Sequence, residues 1–373
     1  MPGDTRGAVI GAGSWGTAVA AIAARNAPTV LWVRRTELAD RIRSTRENGD
    51  YQPGVLLPQE LMATSSLEEA VTGTSLVVMA VPSHGFRAVL KEVRRFAPAS
   101  TPVLSLAKGL EQGTDLRMSE VVAQVMPGSP AGVLSGPNLA REVLAGHPAA
   151  TTVAMTDEEI AAEIQTLLST EAFRVYTNPD VVGSEIAGST KNVIAIASGI
   201  CDGLGFGDST RAALVTRGLA ELSRLGSALG GDLLTFAGLA GVGDLMATCA
   251  SPLSRNRGVG EQLGRGRTLD EIVAGMKMVA EGVKTAKPLL ELAASHGVEM
   301  PISSQVVAVL DGSISPREAI PALMLRPRKP EFHGMRSPGE GEEEAAELEF
   351  GSLREAPPGF GLGTGGESSR AGR

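Results

Sequence analysis

The feature that most constrains this chain is Gly11-Ala12-Gly13-Ser14-Trp15-Gly16, a G-x-G-x-x-G turn between an apolar run, Ala8-Val9-Ile10, and a small-residue stretch, Thr17 to Ala24. A second strand-like run follows, Thr29-Val30-Leu31-Trp32-Val33. A glycine turn closing a strand and opening a helix, with another strand behind it, starts a parallel sheet that binds dinucleotides. The first glycine permits the tight turn. The second lets the backbone approach a pyrophosphate, and the third lets helix and strand pack closely. Helix N-termini present N–H groups and a positive dipole end to such an anion.

The tip of the second strand carries Arg34 and Arg35, with no acid until Glu37. Sites that prefer NAD usually place Asp or Glu there to bond the ribose 2′-hydroxyl. Guanidinium groups suit a 2′-phosphate instead. The pattern predicts NADP(H) as preferred cofactor, with NAD(H) also usable. A solvated strand end is the plainer reading of the two arginines.

Further apolar runs end in small, polar or cationic residues: 76–81 before Pro82-Ser83, 103–106 before Ala107-Lys108-Gly109, and 133–135 before Gly136-Pro137-Asn138. Continuous runs suit a parallel sheet covered on both faces, and ligands bind beyond the strand carboxyl ends of such sheets. Thr156 to Glu159 reads as a capping box opening a helix to about Ser169, and 173–176 as a last strand. From Pro179 the texture becomes helical, with long patterns over 180–199, 210–229 and 283–295. Thr268 with Glu271 marks another helix start, and Ser315-Pro316 an N-cap with proline behind it. The expected fold class is α/β: an N-terminal Rossmann-type doubly wound sheet over 1–180 and a mostly α-helical domain over 181–325. Residues 326–373, rich in Pro, Gly, Ser and Glu with an acidic run at 340–349, are expected to form a disordered tail.

With 373 residues, both halves can bury a sizeable core. A net charge of −8 argues against an extended nucleic-acid footprint, so any anion site must be a local cluster of cations. Cys201 and Cys249 make no disulfide framework, and the histidines at 84, 147, 296 and 333 have no zinc-like spacing. No apolar run reaches membrane-spanning length. Ala21-Ile22-Ala23-Ala24 loosely resembles a cleavage region, but cleavage there would destroy the first strand and its turn, which argues against an export signal. The expectation is a reduced, cytoplasmic protein without a structural metal.

Three clusters in the second half could carry chemistry. Lys191 lies in Gly188-Ser189-Thr190-Lys191-Asn192, amid an apolar helical pattern. Desolvation there would lower its pKa towards the range useful for proton transfer; a lysine snorkelling from a helix face is the alternative. Asp244 ends a glycine-rich run and reads as a placed acid or a helix cap. Ser254-Arg255-Asn256-Arg257 suits a phosphate, or is a basic surface loop. Lys108 adds a cation at a strand tip, or is a solvated loop lysine.

Taken together, GAGSWGTA, LAKGLE, SGPNLAREV, the long GSTKNVIAIASGICDGLGFGDSTRAALVTRGLAE segment, GLAGVGDLMATC and SPLSRNRGVG resemble the bacterial NAD(P)-dependent glycerol-3-phosphate dehydrogenases over roughly 7–325. The resemblance implies reversible reduction of dihydroxyacetone phosphate to glycerol 3-phosphate, feeding phospholipid synthesis. It implies cofactor contacts at Ser14, Trp15, Arg34, Arg35, Lys108, Ala140, Arg255, Val279 and Glu281, beside the glycines 11, 13 and 16. It implies substrate contacts at Lys108, Gly136, Asn138, Lys191, Asp244, Ser254, Arg255 and Asn256, with Lys191 the catalytic proton acceptor. A homodimer through the helical domain is likewise implied. Two other readings stay open on the residues: a related reductase of hydroxy or keto acids, and a non-catalytic NADPH-binding sensor.

Overall fold

Eight strands form a single sheet: β1 (Gly7–Ile10), β2 (Thr29–Trp32), β3 (Leu61–Thr64), β4 (Leu76–Met79), β5 (Val103–Ser105), β6 (Ala131–Ser135), β7 (Ala149–Met155) and β8 (Phe173–Asn178). Their order is β3-β2-β1-β4-β5-β6-β7-β8, the doubly wound arrangement with two strands added at one edge. The computed structural model describes residues 6–276 and 280–331. The expected contact at Val279 and the tail from 332 lie outside them.

Strands β3-β2-β1-β4-β5-β6 pair in parallel. Their carboxyl ends therefore share one edge of the sheet. Along that edge emerge the glycine turn after β1, Ser83 after β4, Lys108 after β5 and Gly136 after β6. Both faces are covered. Val9, Leu31, Val78, Leu104 and Leu134 are buried on one side, and Ala8, Ile10, Val77, Met79 and Val103 on the other. Each large apolar side chain buried this way contributes about 1.5–3 kcal/mol.

Two strands escape the sequence reading. β3 is short and half exposed, so its pattern is weak. β7 is built of alanine and threonine around one valine and one methionine, and it runs antiparallel to β6. Two helix starts are also corrected. Asp157, not Thr156, caps the helix Glu158–Leu168, accepting the N–H groups of Glu159 and Ile160. Ser315 and Glu318 bond each other's backbone in a turn, and the helix begins only at Ala319.

Beyond β8 the chain is helical among the described residues. Asp180 accepts the N–H of Gly183 at 2.7 Å and so caps a long helix, Val181–Gly203. Its apolar residues pack with those of later helices in a second core that includes Ile194, Ile196, Leu245, Val259 and Leu289. It meets the helix Arg255–Gly264 at very close range. A Cβ on Gly199 would lie 1.9 Å from the Arg257 carbonyl oxygen, and one on Gly260 equally close to that of Ile196. Glycines on both helices let the backbones touch, which fixes the start of the second helix relative to Lys191. Sheet and helices up to Glu331 form one compact unit.

Candidate active site

Lys191 sits in the middle of the long helix and is only 5% exposed. Its Nζ donates to an Asp244 carboxylate oxygen and, at 2.8 Å, to Thr248 Oγ1. Asp244, 2% exposed, opens the helix Asp244–Ala250 directly after a π-helical turn, Leu239–Gly243. That turn needs its glycines: a Cβ on Gly241 would lie 2.1 Å from the Phe236 carbonyl oxygen. π-turns recur at functional sites, where they re-aim a side chain. Here the re-aimed group is Asp244, whose side chain caps nothing and points at lysines.

The other carboxylate oxygen of Asp244 accepts Lys108 Nζ at 2.6 Å, and the same ammonium donates to the Gly136 carbonyl at 3.1 Å. One carboxylate thus carries two ammoniums, one from the sheet edge and one from the helical core. Burial pulls the Lys191 pKa down from the usual lysine range, Asp244 pulls it up, and the nearby Lys108 charge lowers it again, leaving it at about 8. For Asp244, burial favours the neutral acid, but the two ammoniums outweigh it and hold the carboxyl below its usual range.

A ring of amides supports this trio. Lys108 N–H donates to Glu281 at 3.3 Å, and Asn192 Nδ2 donates to the Lys108 carbonyl at 2.8 Å. Asn256 Nδ2 donates to Asn192 Oδ1 at 2.8 Å, and Gly282 N–H donates to Asn256 Oδ1 at 3.0 Å. Lys108 is therefore held on both sides of its backbone by groups from the helical half. Sequence reasoning missed Thr248 and gave Asn192 no role. Thr248 lies four residues after Asp244, one helical turn, so that spacing was the available signal.

The glycine turn has the shape a dinucleotide needs. A Cβ on Gly16 would lie 2.1 Å from the Gly11 carbonyl oxygen, whereas one on Gly13 would meet nothing within 4 Å. The turn is closed where helix and strand pack and open where a pyrophosphate would approach. No side chain caps the helix Ser14–Ala23 that follows. A later loop fixes the turn. Asn48 Nδ2 donates to the Ala12 carbonyl at 2.9 Å, Gln52 Nε2 to the Ser14 carbonyl at 3.3 Å, and Ser14 Oγ to the Tyr51 carbonyl at 3.2 Å. Trp15 stacks edge-on against Phe173, with ring centroids 6.2 Å apart. Arg34 and Arg35 are exposed at the end of β2. Arg35 and Arg41 both pair with Asp50, an acid 15 residues beyond Arg35. Hydrogen bonding to Arg35 holds Asp50 below the usual carboxylate range.

Of the remaining expected residues, Asn138 and Ala140 follow β6, and Ser254, Arg255 and Asn256 open the helix that packs on the one carrying Lys191. Ala140 begins a short helix after the Gly136 turn. Asn138 turns its Nδ2 onto the Ala150 carbonyl at 2.9 Å, while its Oδ1 is buried without a partner among the described residues. Ser254 caps the helix Arg255–Gly264 by accepting the Arg257 N–H, leaving its own proton to give. Arg255 is exposed at the first position of that helix. Arg257, beside it, is occupied structurally by Asp202 at 2.7 Å and Glu261 at 3.2 Å. Both cysteines are unpaired, and burial pushes the Cys249 thiol up to about 12, far from thiolate chemistry.

Two family models match the chain, the N-terminal half of NAD-dependent glycerol-3-phosphate dehydrogenase over residues 7–161 and its C-terminal half over 180–321. The chain belongs to the NAD-dependent glycerol-3-phosphate dehydrogenase family. A glycerol-3-phosphate dehydrogenase (NAD(P)+) of Sphingopyxis alaskensis is 53% identical over 316 residues, covering 85% of this chain and 95% of its own length. The enzyme of that name from Thermobifida fusca is 52% identical over 335 residues, covering 89% of this chain and all of its own. Among solved structures, the glycerol-3-phosphate dehydrogenase of Coxiella burnetii superposes with a TM-score of 0.83 at 37% identity, over 86% of this chain and 99% of that one. In this chain, Lys108 from the end of β5 meets Lys191 and Asp244 from two helices in a lysine–aspartate–lysine trio.

Proposed function

We propose that this chain reduces dihydroxyacetone phosphate to sn-glycerol 3-phosphate, reversibly, with a reduced nicotinamide dinucleotide, and that Lys191 is its acid. The observation that carries the assignment of Lys191 is its burial against Asp244 and Lys108, with a pKa near 8. An ammonium poised just above neutrality can polarise a carbonyl and then surrender its proton. The bound cofactor supplies the hydride. Lys191 donates a proton to the oxygen of the reacting carbonyl, and the Lys108 charge favours the negative charge developing there. In the reverse direction, neutral Lys191 takes the proton from the secondary hydroxyl.

Asp244 has two candidate roles, binding a substrate hydroxyl or orienting Lys191; its two ammonium contacts favour orientation. Arg255, Asn256 and the Ser254 hydroxyl are assigned to the substrate phosphate, Gly136 and Asn138 to the substrate wall. The glycines 11, 13 and 16, with Ser14, Trp15, Arg34, Arg35, Ala140 and Glu281, are assigned to the dinucleotide. NADPH is the preferred cofactor and NADH a usable one. The sheet to residue 180 serves as the dinucleotide half and 181–325 as the substrate half. No helix among the described residues is long and apolar enough to cross a membrane, and the assigned setting is the cytoplasm, as a homodimer, on the way to phospholipids.

The test is spectrophotometric: NADPH oxidation by the purified full chain with dihydroxyacetone phosphate, alongside keto acids lacking a phosphate. Oxidation specific to the phosphorylated ketone supports the reading. Turnover of a keto acid alone makes the protein a different reductase, and binding of NADPH without turnover of any ketone makes it a sensor.

A further inference from the structure

The acid absent from the end of β2 is supplied from elsewhere in the fold. Asp50 bonds Arg35 and Arg41 at once, from a loop sewn to the glycine turn. Asn48 in that loop is fully buried and Gln52 is 4% exposed, so both anchors are set in the core. Their bonds to the Ala12 and Ser14 carbonyls tie Asp50 to the turn that would hold the pyrophosphate. Its position is therefore a built feature, not a chance pairing of long side chains.

We infer that Asp50 sets the balance between the two nicotinamide cofactors. The inference rests on the dinucleotide site assigned above. A 2′-phosphate recruiting Arg35 must share that guanidinium with a carboxylate already bound to it, which weakens the phosphate's hold. A ribose 2′-hydroxyl, by contrast, is a donor suited to a carboxylate, the role that strand-tip acids fill in sites preferring NAD. Arg35 and Asp50 together thus present a guanidinium to one cofactor and a carboxylate to the other. This gives the site a physical route to accepting both.

Asp50→Asn keeps the shape and removes the charge. The groups are half exposed, so each effect is modest. NADPH should bind about threefold tighter as the competing charge goes, and NADH about threefold weaker as a charge-assisted bond becomes a neutral one. The test is equilibrium titration of the full chain with each cofactor, read by the fluorescence of the reduced nicotinamide. The ratio of the two dissociation constants should move about tenfold towards NADPH in Asp50→Asn and return towards the intact value in Asp50→Glu. An unchanged ratio, a shift towards NADH, or an equal weakening of both cofactors overturns the inference. Turnover with dihydroxyacetone phosphate is measured on the intact protein in parallel. Its absence counts against the proposed function, whereas its presence with an unmoved ratio counts against Asp50 alone.

Discussion

Asp244→Asn tests the electrostatics of the centre, because it removes the one negative charge facing two ammoniums. The carboxylate is 2% exposed and bonds Lys108 on one oxygen and Lys191 on the other. An amide in its place can accept from one lysine but presents N–H groups to the other. The buried Lys191 and the part-buried Lys108 then face each other without a counterion, and the cheapest relief is for Lys191 to shed its proton. An opposite charge at this range is worth one to three pKa units, so its loss should lower the Lys191 pKa by about two units, or about 2.7 kcal/mol. From a starting value of about 8, the ammonium fraction at pH 7.5 is roughly three quarters. In the variant it falls to roughly 3%. Reduction of the ketone needs the ammonium, so kcat at pH 7.5 should drop about 25-fold. At pH 6 the intact site is almost fully protonated and the variant about half, so the gap should close to about twofold. The assay is the pH profile of kcat for NADPH oxidation with saturating dihydroxyacetone phosphate, from pH 5.5 to 9.5. A deficit of the same size at pH 6 and pH 7.5 would refute the argument, since it would mean that Asp244 acts by something other than the charge of Lys191.

Two further outcomes follow from other parts of the fold. Arg255→Ala should raise KM for dihydroxyacetone phosphate about tenfold or more with little change in kcat, because a charge-assisted bond to a non-reacting phosphate is the same before and during the reaction; steady-state kinetics separate the two terms. Gly199→Ala should lower the free energy of urea unfolding by about 2 kcal/mol or more, because its methyl group would collide with the Arg257 carbonyl and force the two helices apart.

How much of this was legible in the chain depends on the range of the signal. The glycine turn and the strands beside it are local patterns, and β1, β2, β4, β5, β6 and β8 fall where their apolar runs are. β3 and β7 were hidden because one is half exposed and the other mostly alanine and threonine, so their pairing partners decide their state. The lysines and Asp244 could each be named from their surroundings, but lysine on a helix face and aspartate at a helix start have ordinary explanations. What selects between the readings is the contact of residues 108, 191 and 244, separated by 136 and 53 positions, and no local pattern carries that. The same holds for Asp50. Glu37 was the acid nearest the arginines in sequence, yet the acid that bonds Arg35 arrives after an intervening helix.

The account stands on Lys191 as the group that moves the proton. Its most direct test is Lys191→Ala, assayed for NADPH oxidation with dihydroxyacetone phosphate and, on the same sample, for NADPH binding by fluorescence. The account predicts that turnover falls at least about a hundredfold while the affinity for NADPH stays within about twofold, since the lysine bonds Asp244 and Thr248 rather than the glycine turn. A variant that still oxidises NADPH at near the intact rate would contradict it.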